Sequence, residues 1–221
     1  MSLQKIESLF KGYPIVEDTD GDGYPDHVAL RVLVHPDMED PLVWSGLLNL
    51  TARLAFEVVA LRLPLLRKGI RSTGKGLHLI VYPPGLQAPR LQGKTLRGAC
   101  WYRAGNVVCL CGTSGEAMMN RLNALATGLD TAARPRKATG IRKTSSGKRN
   151  LPFDLLDLTR LYDVSATDPK ARGLNALFSL PDEKLRCPVG LALSGLVARL
   201  ALEATEITLP LASRGMAETV R

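Results

Sequence analysis

Two segments of this chain resemble each other, and this similarity limits the available folds more than any other feature of the sequence. Residues 50–69, LTARLAFEVVALRLPLLRKG, align without a gap on residues 196–215, LVARLALEATEITLPLASRG, and ten of the twenty positions are identical. The two segments are offset by 146 residues. Because a match of this length rarely arises by chance, it predicts two copies of one structural unit.

Both copies follow the pattern of a strand, a helix and a second strand. In the first copy, the β-branched run Val28–Val34 predicts a strand, and apolar residues three or four positions apart predict a helix over Pro41–Phe56. A second strand is expected over Val58–Leu63, where Pro64 stops it. The second copy is expected to begin with a strand at about 174–180. Two parallel strands joined by a helix form a βαβ unit.

The first copy continues beyond this unit. Gly76–Tyr82 predicts a buried strand, and residues 97–102 and 107–112 predict a hairpin turning at Gly105-Asn106, a favoured tight-turn pair. Residues 114–128 predict a further helix, with Ser114 as its cap and Gly128 at its end. The predicted fold class is α/β, with tandem duplicated βαβ-containing units and helices packed on a mixed sheet.

The second copy is predicted to be incomplete, because it reaches only the equivalent of residue 75. We therefore expect the chain to be an excerpt of a longer protein, in which residues 151–221 lack partners for their sheet. The predicted domains are a first α/β unit over 1–132, a basic flexible linker over 133–150 and a partial second unit over 151–221.

The net charge of +8 is concentrated in one short stretch. Seven basic residues and no acidic residue lie between positions 134 and 149, among Pro, Gly, Ser and Thr: Arg134, Arg136, Lys137, Arg142, Lys143, Lys148 and Arg149. Such a run is typical of a solvated linker. Binding of a polyanion is the alternative, and the lack of aromatic residues for base stacking argues against nucleic acid. No apolar run is long enough for a membrane span.

An acidic loop, EDTDGDGYPD over residues 17–26, carries the most specific chemical pattern. Counted from its first Asp, it places carboxylates at positions one, three, five and nine, with Gly at six, as in the opening of an EF-hand calcium loop. Position twelve is Ala29 instead of the usual bidentate Glu. The predicted metal ligands are Asp18, Asp20, Asp22, Asp26 and, through its backbone carbonyl, Tyr24. A metal-free acidic turn is the alternative.

The Asp-x-Asp-x-Asp-Gly core at residues 18–23 resembles the Asp-rich loops of dockerins and thrombospondin type 3 repeats, and the resemblance covers about nine residues. This resemblance implies Ca²⁺, which the hard oxygen ligands also favour. Loss of the twelfth ligand is expected to weaken affinity toward roughly 10⁻⁴ to 10⁻³ M. The corresponding loop of the second copy, residues 163–173, lacks most of these carboxylates. Any ion in the first copy is therefore expected to stabilise the loop locally, without being required for the fold of the unit.

Other candidate chemistry is weaker. Gly69–Gly76 departs from a phosphate-binding P-loop at its last residue and precedes a predicted strand instead of a helix. The hairpin register places Cys100 opposite Cys111, so these are either buried thiols or a disulfide, with a thiolate cluster including Cys109 as a further alternative. A triad of Ser114 with His and Asp lacks the spacing of a nucleophile elbow. No catalytic residue is predicted.

The order of βαβ unit, strand, hairpin and helix, with Gly-Thr-Ser-Gly at 112–115, resembles non-catalytic α/β domains in two kinds of protein. These are family-20-like glycoside hydrolases and the periplasmic cellulose synthase regulatory subunit. The resemblance covers about residues 28–129. It implies an accessory or interaction region of a larger secreted or cell-envelope protein, partnered by other domains of the same polypeptide, a glycan or a protein. The alternatives are a hydrolase fragment, a polyanion-binding scaffold and a cytoplasmic location.

Overall fold

The computed structural model describes residues 13–91, 95–128, 138–139, 162–164, 172–174 and 177–214. This part of the chain contains three α-helices: α1 (Pro41–Phe56), α2 (Gly115–Gly128) and α3 (Cys187–Leu202). Within the same ranges, none of the helices has the length and apolar character needed to cross a membrane. Residues Pro89–Leu91 form one short 3₁₀ turn.

The first half of the chain builds a small hairpin and a five-stranded sheet. The hairpin pairs β1 (Val16–Glu17) with β2 (His27–Val28) in antiparallel fashion. The sheet strands are β3 (Arg31–Val34), β4 (Leu66–Lys68), β5 (His78–Val81), β6 (Ala99–Ala104) and β7 (Val107–Gly112). Their order across the sheet is β4-β3-β5-β7-β6, and all neighbours are parallel except β6 and β7, which form a hairpin. This mixed α/β architecture confirms the predicted fold class.

Helix α1 is the centre of the core. Fourteen of its sixteen residues are buried, which is typical of a helix enclosed on several sides. It begins where predicted, because the Asp40 carboxylate accepts hydrogen bonds from Leu42 N (2.8 Å) and Val43 N (3.2 Å) at the first turn. Its apolar side chains pack with one face of the sheet, including Val32 and Leu79.

The opposite face of the sheet carries a second, smaller apolar cluster. Ile80, Cys109 and Cys111 pack there with residues of the segment that follows β5, including Ala88 and Leu91. This cluster lies toward the β5–β7–β6 side. Near the other edge, Arg31 on β3 and Arg67 on β4 are exposed.

Four predicted strands of the first half differ from those in the structure. The strand expected over Gly76–Tyr82 is shorter, at His78–Val81, and the one expected over 97–102 is shifted by two residues, to Ala99–Ala104. The run Val28–Val34 is divided between β2 and β3. The strand expected over Val58–Leu63 is wrong, because the sheet strand begins only after Pro64, at Leu66. Val59 N instead donates to Pro25 O (2.9 Å), so this segment is hydrogen-bonded to the hairpin loop, and Val59 and Leu63 are exposed.

The second half contributes two further small sheets. One has the order β8-β12-β10-β9 and the other pairs β11 with β13 in parallel. Their bounds are β8 (Ala138–Thr139), β9 (Tyr162–Val164), β10 (Arg172–Leu174), β11 (Phe178–Leu180), β12 (Glu206–Thr208) and β13 (Ala212–Arg214). The single strand expected at about 174–180 is therefore two strands in different sheets, β10 and β11.

The βαβ elements of the two halves correspond at the same offset of 146 residues as the sequences. α1 and α3 have equal length, and each lies between two parallel strands, β3 with β4 and β11 with β13. Each helix also ends with an Arg–Glu ion pair, Arg53 with Glu57 (2.5 Å) and Arg199 with Glu203 (2.7 Å). Origin of the two segments by duplication stays a prediction.

The C-terminal segment is joined to the first half through α1. Asn49 Oδ1 accepts from Leu211 N (2.8 Å) and Ala212 N (2.7 Å), while Asn49 Nδ2 donates to Ala212 O (3.0 Å). Ser45 Oγ donates to the same carbonyl (2.6 Å). Side chains of helix α1 therefore form hydrogen bonds with the backbone at the start of β13. The sequence had led us to expect that strands in this part of the chain lack partners.

Candidate metal site

The acidic loop connects the two strands of the β1–β2 hairpin. Asp26 N donates to Glu17 O (2.7 Å), which closes the base of the loop. Ala29 N donates to Ile15 O (2.8 Å) just beyond it, and strand β3 follows. The position that carries the twelfth ligand in an EF-hand therefore leads into the sheet, and the extended chain after the loop matches the sequence prediction.

The carboxylates of the loop accept hydrogen bonds from its own backbone. Asp18 accepts from Gly21 N (2.7 Å) and Gly23 N (2.9 Å), and Asp22 accepts from Tyr24 N (2.8 Å). Gly21 and Gly23 have φ values of 76° and 88°, a region that residues with a Cβ rarely occupy. The two glycines therefore let the chain turn tightly enough to bring alternate Asp residues together.

Three of the predicted ligands converge. One carboxylate oxygen each from Asp18, Asp20 and Asp22 lie within 4.8 Å of one another, and all three residues are exposed. A cluster of this kind could hold a metal ion, because hard oxygen ligands at close spacing suit a divalent cation. The geometry specifies the donor set and leaves the identity of the ion open.

The protonation equilibrium of Asp20 reflects this crowding. The hydrogen bond from Asp22 N lowers the pKa of Asp20, but partial desolvation and repulsion by the Asp22 and Asp26 carboxylates outweigh it, so the pKa of Asp20 is raised. A bound cation would relieve the repulsion between these carboxylates.

Asp26 has a different environment. Its Oδ2 accepts hydrogen bonds from the hydroxyl and the backbone N of Thr19, the latter at 2.6 Å. These bonds are the main reason why the pKa of Asp26 is lowered. Asp26 therefore contributes to loop closure, and its role as a metal ligand, like that of the Tyr24 carbonyl, stays a prediction.

The basic run predicted as a linker lies outside the described residues. This applies to all seven candidate polyanion-binding residues: Arg134, Arg136, Lys137, Arg142, Lys143, Lys148 and Arg149. Within the same stretch, only Ala138–Thr139 is described, and it pairs in parallel with β12.

The cysteines of the hairpin are free thiols. Cys100 lies opposite Cys111 in the β6–β7 register, as predicted, but no disulfide joins them. Burial raises the pKa of Cys109 to about 12 and that of Cys111 to about 11, and charge repulsion between neighbouring thiolates adds to both shifts. Such thiols remain protonated at neutral pH and are poor nucleophiles and poor metal ligands.

Two other sequence candidates have structural roles. Ser114 Oγ accepts from Ala117 N (3.3 Å) at the start of α2, so it caps the helix as expected. The loop Gly69–Gly76 leads into β5 and not into a helix, so it has no helix N-terminus at which a P-loop would hold phosphate.

One feature was not predicted from the sequence, a cavity of about 740 Å³ beside the β3–β4 edge of the sheet. Basic side chains from several elements line it: Arg31, Arg62, Arg67, Lys68, Arg71 and Lys75. These residues are spread over 45 positions and form no continuous run. Only the fold assembles them, so the pattern of charges along the chain contains no signal for this site.

The structure thus defines a mixed α/β protein with an exposed Asp cluster that could hold a metal ion. Comparison with protein-family models and with curated proteins finds no match for the chain.

Proposed function

We propose that this chain is a non-catalytic accessory or interaction region of a larger secreted or cell-envelope protein, and that its acidic loop binds a structural Ca²⁺ ion. The convergence of Asp18, Asp20 and Asp22 at the end of the β1–β2 hairpin is the observation that carries the proposal. Oxygen ligands in a flexible loop favour Ca²⁺ over Mg²⁺, which needs a nearly ideal octahedron.

The location of the loop supports a structural role for the ion. The loop spans the two strands of a hairpin, and Val59, which follows α1, donates to the carbonyl of Pro25 at the end of the loop. An ion that orders the loop would therefore also hold the connection between α1 and β4. The exposure of the three carboxylates favours weak binding, which suits the millimolar Ca²⁺ found outside cells.

Calorimetric titration with CaCl₂ tests the ion. Wild type is expected to bind one Ca²⁺ with a Kd of roughly 10⁻⁴ to 10⁻³ M. Asp20→Ala should bind at least tenfold more weakly, because it removes one of the three converging ligands. Asp37→Ala is the matched control, since it removes an exposed carboxylate outside the loop. Absence of binding by wild type at millimolar Ca²⁺ would leave a metal-free acidic turn.

A further inference from the structure

The cavity beside the β3–β4 edge has an unusual balance of charge. Its lining includes six basic side chains, Arg31, Arg62, Arg67, Lys68, Arg71 and Lys75, all of them exposed. The one carboxylate in the lining, Glu17, lies 3.1 Å from His27 Nε2. Among the described residues, no acidic side chain forms a salt bridge with any of the six. Their charge is therefore available to a ligand.

The loop 69–76 that forms one wall is held in place by side chains of the sheet. Arg31 Nη1 donates to Thr73 O (2.7 Å), and His78 Nε2 lies 3.2 Å from the same oxygen. Asn106 Nδ2 donates to Gly76 O (2.9 Å). These contacts occupy carbonyl groups of the loop, whereas the backbone N–H groups of residues 70–76 donate to no carbonyl within the described residues. The carbonyl groups of this wall are therefore held by side chains, and its N–H groups have no backbone acceptor in the part of the chain that the structure describes.

Gly74 lets this wall approach the sheet closely. Its φ of 100° is strained for other residues, and a Cβ at this position would lie 2.9 Å from Arg31 Nη1. Arg31 therefore anchors the loop, while Arg67, Arg71 and Lys75 have no such bond among those described.

His78 is a buried polar side chain in the wall of the cavity. Its side chain is 1% exposed and lines the cavity, yet Nδ1 has no hydrogen-bond partner within the described residues. Because Nε2 lies against the Thr73 carbonyl, which can only accept, Nδ1 of the neutral ring is an acceptor, and a water or a ligand hydroxyl that donates to Nδ1 would satisfy it.

We propose that this cavity binds a small anionic ligand that carries two or more phosphate groups. The volume lies within the range of about 300–1,000 Å³ that is common for small-molecule sites. Arginine guanidinium groups bind phosphate oxygens in pairs, and lysine adds a point charge. Several cations around one cavity favour several negative charges over one. The cavity reaches the base of the acidic loop at Glu17, but none of the proposed Ca²⁺ ligands lines it, so this proposal does not rest on the Ca²⁺ site.

Calorimetric titration with sodium tripolyphosphate tests the proposal, in low salt and with EDTA so that metal ions play no part. Wild type is expected to bind one equivalent. Arg67→Ala/Lys75→Ala should weaken binding at least tenfold, and added salt should weaken wild-type binding as well. The control Lys184→Ala/Arg186→Ala removes the same charge from exposed positions outside the cavity and should bind within twofold of wild type. Circular dichroism checks that both variants remain folded.

Free oligophosphates and phosphorylated lipid headgroups share this chemistry. Co-sedimentation with vesicles that contain phosphatidylinositol bisphosphate distinguishes the two sources: binding of tripolyphosphate alone assigns a free ligand, and cavity-dependent binding of both assigns a headgroup as well. The proposal is overturned if wild type does not bind tripolyphosphate, or if the two double variants weaken binding equally. Binding of a single-stranded oligonucleotide in place of tripolyphosphate would also overturn it.

Discussion

Among single residues, Asn49 forms several of the hydrogen bonds that join the two halves of the chain. Its side chain lies on the buried helix α1 and forms hydrogen bonds with the backbone of Leu211 and Ala212, and its Nδ2 also donates to Asn123 Oδ1 (2.9 Å). A polar residue in an apolar helix is typically retained where its whole hydrogen-bonding capacity is used.

We expect Asn49→Leu to lower the free energy of unfolding by roughly 2–6 kcal/mol, because two buried backbone N–H groups lose their acceptor. Urea denaturation measures the change. Asn120→Leu is the matched control on α2, where Asn120 is exposed, and it should change stability by no more than about 0.5 kcal/mol. Equal effects of the two substitutions would contradict the role assigned to Asn49.

Gly190 defines a second point of contact between the halves. A Cβ at this position would lie inside van der Waals distance of the Trp44 indole, which is fully buried. In the same helix, a Cβ added to Gly195 would meet no atom within 4 Å. The two glycines therefore differ in packing while sharing one helix.

Replacing each glycine by alanine is expected to change the free energy of unfolding in opposite directions. Gly190→Ala should lower the free energy of unfolding by roughly 1–3 kcal/mol through overpacking, despite the better helix propensity of alanine. Gly195→Ala should raise it by up to about 1 kcal/mol, since only the propensity changes. Thermal and urea unfolding of both variants provide the measurement, and a gain in stability for Gly190→Ala would show that α1 and α3 do not approach as described.

Among the secondary-structure elements, the hairpin β6–β7 combines a predictable turn with unusual thiols. The pKa of Cys109 is about 12 and that of Cys111 about 11, whereas an unfolded thiol has a pKa near 9.0. Folding therefore favours the neutral thiols. Their contribution to stability is fully present below pH 9 and is lost as pH rises through the folded values.

We expect the stability difference between wild type and Cys109→Ala/Cys111→Ala to shrink as pH rises above 9. Urea unfolding at several values from pH 8 to pH 10.5, with a reductant present, measures this difference. Groups that do not interact with the two thiols contribute equally in both proteins, whereas Tyr82 and Cys100, which interact with them, contribute to the measured difference. A difference that stays constant with pH would mean that the two thiols are not protected from ionisation in the folded protein.

Elements with strong local signals could be predicted from the sequence. The helix Pro41–Phe56 has regular apolar spacing and a Pro at its first position, and the hairpin turn has Gly105-Asn106, so both occur where expected. The prediction of a strand over Val58–Leu63 was wrong because β-branched residues indicate an extended chain but do not show whether that chain pairs with another strand. Only the tertiary structure shows that this segment bonds to the hairpin loop and that pairing resumes at Leu66.

The candidate sites also differ in how far they could be predicted from the sequence. Asp18, Asp20 and Asp22 are neighbours in sequence, so their convergence could be predicted from spacing and the glycines between them. The basic cavity draws residues from β3, β4 and the loop before β5, and no local pattern joins them. Asn49 was missed because its partners at 211 and 212 lie more than 160 residues away.

In the molecule as a whole, the two βαβ segments contact each other reciprocally. α1 contacts β13 and α3 contacts β4, and the close approach of Trp44 to Gly190 joins two positions that are aligned at the offset of 146. Reciprocal contacts between equivalent positions are characteristic of a twofold arrangement. They favour the duplication hypothesis, in which two copies came to share one core.

Thermal unfolding in Ca²⁺ or EDTA is the sharpest test of the proposal that the acidic loop holds a Ca²⁺ ion and that this ion stabilises the fold. At 10 mM Ca²⁺ a site with a Kd of about 1 mM adds roughly 1.4 kcal/mol, which raises the Tm of a chain of this size by about 3–6 °C. We predict this rise for wild type and Asp37→Ala, and its loss in Asp20→Ala. An unchanged Tm in wild type, or an equal rise in Asp20→Ala, would contradict the proposal.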